Sequence, residues 1–129
     1  MHATFDITVD PGRALVRIVM AGFFEPQDVA RFVAARDLAH RRLTCAPNQH
    51  VTLVDIRDMA IQSQDIVARF QAVLGAPATR SRRIAFVVGA SLARKQIVRA
   101  AEGRGARFFL DPAEAEAWLM QPDTADIAA

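Results

Sequence analysis

Residues 82–91 read RRIAFVVGAS. Five consecutive apolar side chains, Ile84 to Val88, suit a short buried strand and leave it no polar face. A strand over 82–88 with both faces apolar needs helices on both sides. The stretch therefore predicts an α/β sheet with this strand at a central position. Gly89 follows at once, and Ser91 is placed to cap a third helix carrying Leu92, Gln96, Ile97 and Ala100 on one side, which GRG at 103–105 ends.

Outward from this strand, the same alternation continues in both directions. Downstream, residues 106–110 form a short fifth strand. DPAE at 111–114 then supplies Asp111 as cap, Pro112 at the first helical position and Glu114 in the first turn of a last helix, whose apolar side is Ala115, Trp118 and Leu119. Upstream, Val51 to Ile56 is a third strand that runs out into Asp55, Ile56, Arg57 and Asp58. Ser63 caps the next helix with Asp65 in its first turn, and Ile66, Val67, Phe70, Val73 and Leu74 form its buried face before Gly75 and Pro77 stop it.

Further back, GFFEPQDVARFVAARDLAHRRL (22–43) is an amphipathic helix that starts at Pro26 and carries Val29, Phe32, Val33, Ala35, Ala39 and Leu43 on one stripe. Phe5, Ile7 and Val9 alternate with polar residues, DPGR (10–13) turns the chain with glycine free to take a positive φ, and ALVRIVM is a second strand. The predicted order is β-β-α-β-α-β-α-β-α. It is a mixed five-stranded sheet with an antiparallel amino-terminal hairpin and four helices, one domain over 1–121 and a fraying tail over 122–129.

Composition narrows the function. A chain of 129 residues removes roughly two-thirds of its unfolded surface from water and needs no metal or disulfide to fold. A single cysteine, Cys45, precludes an intrachain disulfide and fits a reducing, cytoplasmic setting. No apolar run approaches the ~20 residues that cross a bilayer, and the amino terminus lacks a secretory leader, so stable membrane insertion is not expected. Charge is uneven: residues 80–107 hold eight basic side chains against Glu102, while 108–129 hold only acids. Such neighbouring segments neutralise one another where they pack, or else the basic one meets an anionic partner.

Searches for catalytic chemistry end without a site. His2, His40 and His50 lack zinc spacing, and His40 borders a helix stripe. No glycine-rich phosphate loop follows a strand. VVGAS lacks the flanking glycines of a nucleophile elbow, and Phe108–Phe109 beside Arg107 belong to a strand core rather than a nucleic-acid stacking platform. No catalytic residue, metal site or cofactor is expected, and no nucleic-acid partner.

One constellation remains. Ligands of open α/β sheets gather beyond the carboxyl ends of the parallel strands. There the sequence places Asp55, Arg57 and Asp58 after the third strand, Gly89 and Ser91 after the fourth and Asp111 after the fifth, with Ser63, Asp65 and Ile66 at the start of the second helix on the same rim. Each has a local explanation as well: Ser63, Ser91 and Asp111 as helix caps, Asp55 with Arg57 as an ion pair.

With LVDIRDM at 53–59, RRIAFVVG at 82–89 and ARFFLDPAEAEAWL at 106–119, this order of elements resembles the STAS fold of bacterial anti-sigma-factor antagonists. More closely, it resembles the SpoIIAA-like family of STAS/SEC14-type domains. The antagonists carry an Asp-Ser-Ser-Gly motif whose serine is phosphorylated by a partner kinase. Here the matching segment is MAIQSQDI (59–66), which lacks the motif, and Asp65 falls near the place of that serine. The resemblance implies a non-catalytic interaction domain that binds a protein partner or itself, as a homodimer, through the rim. Its SEC14 side implies instead a carrier or sensor of a small apolar or lipid ligand. An enzyme using the strand-end acids is a third reading, and it requires a pocket that holds Asp55 or Asp58 with Arg57.

Overall fold

The computed structural model describes residues 2–89, 98 and 105–122. Five strands form one sheet in the spatial order of the chain: β1 (Thr4–Asp10), β2 (Leu15–Gly22), β3 (Val51–Met59), β4 (Arg83–Val87) and β5 (Arg107–Phe109). β1 and β2 pair antiparallel, and every later pairing is parallel, as the alternation of strands with helices requires. The helices are α1 (Pro26–His40), α2 (Gln64–Gly75) and α3 (Pro112–Leu119). The helix expected from Ser91, and the tail beyond residue 122, lie outside the described residues, so three of the four expected helices are described.

β4 is an interior strand with no exposed face, as its apolar run implies, and β3 is the middle strand of the five. One reading of the sequence is corrected. The hairpin turn is a 3-10 turn over Pro11–Arg13, and the positive φ falls on Ala14 (50°) rather than on Gly12.

Strand alternation splits the core in two. On one face Val16, Ile18, Met20, Val54, Ile56, Ile84 and Phe86 pack with Val29 and Phe32 of α1 and Ile66 and Phe70 of α2. On the other, Leu15, Val51, Leu53, Ala85 and Val87 are covered by Ala115 and Leu119 of α3. Full burial of a side chain such as Leu119 contributes about 1.5–3 kcal/mol.

Helix starts follow the sequence signals. α1 opens with a reciprocal capping box between Glu25 and Asp28 and with Pro26 in its first turn. Ser63 accepts from the Ile66 amide at α2, and Asp111 from the Ala113 amide at α3. Glu116 of α3 meets Arg13 and Arg17 of the hairpin, both outside the basic 80–107 segment. Trp118 of α3 lies beneath the guanidinium groups of Arg83 (5.4 Å) and Arg107 (5.3 Å).

Candidate functional site

β3 is longer than its apolar core suggests. Pairing with β2 carries it to Met59 through a bulge, where Val19 faces Asp55 and Ala21 faces Asp58, so that Ile56 and Arg57 share a single residue of β2. Asp55, Arg57 and Asp58 therefore lie within the strand rather than beyond it. Arg57 grips Asp55 with two hydrogen bonds, Nε to Oδ1 (3.0 Å) and Nη2 to Oδ2 (2.7 Å). The pair holds the Asp55 carboxyl below its ordinary range, and Asp55, aided by Asp58 and Asp111, raises the Arg57 guanidinium. Gly89 is adjacent, since a Cβ there would lie 3.7 Å from the Arg57 carbonyl oxygen.

The rest of the predicted rim divides. Ser63 is engaged as the α2 cap, and Asp65 is exposed and paired with Arg69 one turn on. Ile66 is 1% exposed and packs in the core, so the surface role expected of it is corrected: at this point of α2 the side chain faces the sheet. Ser91 lies outside the described residues.

Gln62 is a residue the sequence did not single out. It is buried, accepts from the Phe24 amide (2.8 Å) and donates to the carbonyls of Gly22 (2.9 Å) and Ala60 (2.6 Å), tying the exits of β2 and β3 together. A glutamine in a polar loop gives no signal of this in one dimension. Gln62→Leu should cost about 1–2 kcal/mol in urea unfolding, because it strands the buried Phe24 amide. A change below ~0.5 kcal/mol would show that water replaces the amide there.

Among the described residues, a concave site lies elsewhere. Between the sheet and the α1/α2 layer lies a partly open cavity of about 80 Å³, whose lining includes Ile18, Met20, Val54, Ile56, Phe70 and Val73. One water occupies about 10–15 Å³ by such a measure, so there is room for on the order of six water-sized groups. None of the rim residues Asp55, Arg57, Asp58, Ser63, Asp65 or Gly89 lines it. One end is polar and sits at the amino ends of β3 and β4, away from the rim. There the lining changes to Arg36, His40, Thr52, Thr79, Arg80 and Ser81.

That polar end is built by long-range packing. His40, the last residue of α1, stacks obliquely on His50, just before β3, with ring centroids 4.7 Å apart. The two histidines looked unrelated in sequence. Ser81 lies 3.2 Å from His50 Nε2 and 2.6 Å from the Thr52 hydroxyl, forming a chain His50–Ser81–Thr52. Burial, with His40 and Arg36 nearby, pushes His50 down to about 4. His40 is lowered by burial and by Arg36, against the opposing pull of Asp37. Both rings are thus neutral at pH 7. The Arg36 side chain is 12% exposed. Its Nη2 reaches Asp37 (3.1 Å), while its Nε is shielded from water and has no hydrogen-bond partner.

Comparison with known proteins places the fold. The crystal structure of an uncharacterized protein of the DUF3478 family from Shewanella loihica PV-4, described as having a SpoIIAA-like fold, superposes with a TM-score of 0.71. The likeness covers 92% of this chain and 96% of that one at 16% identity. The chain has a SpoIIAA-like α/β fold. No protein-family model and no curated protein matches the sequence. Among the described residues, no helix is long and apolar enough to cross a membrane.

Proposed function

We propose that this protein is a non-catalytic binding domain that holds a small, largely apolar molecule between its sheet and the α1/α2 layer. The carrying observation is the cavity itself: an apolar body lined by Ile18, Val54, Ile56 and Phe70, with polar groups confined to one end. Ligand sites have this composition, mostly apolar walls with a few polar groups that fix orientation.

The alternative surface, the rim from Asp55 to Asp65, has its charges largely engaged within the chain. Asp55 is held by Arg57, Asp65 by Arg69, and Ile66 is in the core. Asp55 and Asp58 do not line this cavity.

The test uses an uncharged probe. 1-Hexanol titrated into the protein should give saturable shifts of the Ile18, Ile56 and Ile84 methyl resonances. Val73→Trp, which fills the cavity from α2, should abolish them while leaving the fold intact. Absence of saturable shifts in the wild type would overturn the reading.

A further inference from the structure

Resting on that cavity reading, we infer that the ligand is a small amphipathic monocarboxylic acid, its apolar body in the cavity and its carboxylate received by Arg36 between the Thr52–Ser81 hydroxyl pair and the histidines. Charge is the first argument. The lining includes the guanidinium-bearing Arg36 and Arg80 and no carboxylate, so the polar end is electropositive.

Arg36 also borders the cavity, and a planar guanidinium is the side chain that receives a carboxylate best, through its paired N–H groups. The Thr52 and Ser81 hydroxyls, 2.6 Å apart, line the same polar end, and a hydroxyl there can turn its proton toward a bound carboxylate.

Size and charge set the class. Room for on the order of six water-sized groups matches a single ring or a short acyl chain and excludes a two-chain lipid. Arg36 is already partly balanced by Asp37, which leaves the site suited to one negative charge rather than a phosphate dianion.

The experiment compares hexanoate with 1-hexanol, two probes of the same chain length, at about pH 7.5, where hexanoate is ionised. Affinities are read from the same methyl resonances. Hexanoate should bind the wild type about tenfold tighter or more. Arg36→Met, which keeps the aliphatic stem, should weaken hexanoate by about tenfold or more and hexanol by less than about twofold, with Arg36→Lys intermediate. Equal wild-type affinities for the two probes overturn the carboxylate inference with no variant needed, and leave the cavity reading standing. A hexanoate preference that survives Arg36→Met overturns the role of Arg36. Failure of both probes to bind overturns the cavity reading beneath it.

Discussion

Gly22→Ala should destabilise the protein by about 3 kcal/mol or more, read as a fall in the urea midpoint followed by the fluorescence of Trp118. Gly22 ends β2 at φ +85°, a conformation that costs an alanine roughly 1–2 kcal/mol by itself. The larger part is steric. A Cβ at this position would stand 2.1 Å from the carbonyl oxygen of His2 and 2.8 Å from its carbonyl carbon, which are backbone atoms with no rotamer to yield. His2 is there because the chain ahead of β1 bridges to Phe23, just past Gly22. The Gly22 carbonyl also receives the Ala60 amide and the Gln62 side chain, so a displaced residue 22 disturbs the β2 and β3 exits together. A loss under ~1 kcal/mol would mean that the amino-terminal segment is free to move aside.

Acidification should destabilise the protein through His50. Its folded value is about 4 against an ordinary 6.5, so between these pH values the unfolded chain binds a proton that the folded one refuses. The sign follows: stability due to neutral His50 is fully present above about pH 6.5 and is lost as pH falls toward 4. The loss is about 2–3 kcal/mol at its limit. His50→Gln, which keeps an amide near Ser81 but cannot titrate, should remove that share. Urea unfolding at pH 7 and pH 4.5 should show the wild type losing about 2 kcal/mol more than the variant between them. Equal losses would place the acid sensitivity in other groups. The lowered carboxyls of Asp10, Asp28 and Asp55 respond only below this window.

The two predictions fall on different sides of what sequence can express. Helix caps were legible because their geometry is local: Ser63 and Asp111 each bond an amide two or three residues on, and composition reports that directly. The strand under RRIAFVVGAS was legible because five apolar residues admit few alternatives. The end of β3 was not legible. Its extension to Met59 depends on the bulged pairing with β2, and Asp55, Ile56, Arg57 and Asp58 look alike in sequence whether they lie inside a strand or beyond it.

The candidate site shows the same division. Attention to the carboxyl ends of the strands selected Asp55, Arg57 and Gly89, which do come together, and also Ile66, which points into the core. The cavity's polar end lies at the opposite end of the strands. It gathers Arg36 and His40 from α1, His50 and Thr52 from the start of β3, and Ser81 from the approach to β4. No spacing rule links residues 36, 40, 50, 52 and 81. Pairing of β3 with β4 brings Ser81 to His50 and Thr52, and the docking of α1 sets His40 against His50.

By itself, then, the sequence determined the order of strands and helices, the antiparallel hairpin, the parallel pairing after it and the capped starts of α2 and α3. All of these follow from apolar periodicity and from bonds spanning a few residues. Tertiary structure alone decided that β3 lies at the centre of the sheet, that Gln62 clamps two strand exits and that His40 meets His50. It also decided that the polar part of the cavity lining includes Arg36. The physical reason is that burial and pairing between residues far apart in the chain are set by which faces meet, and a face is known only after the elements have packed.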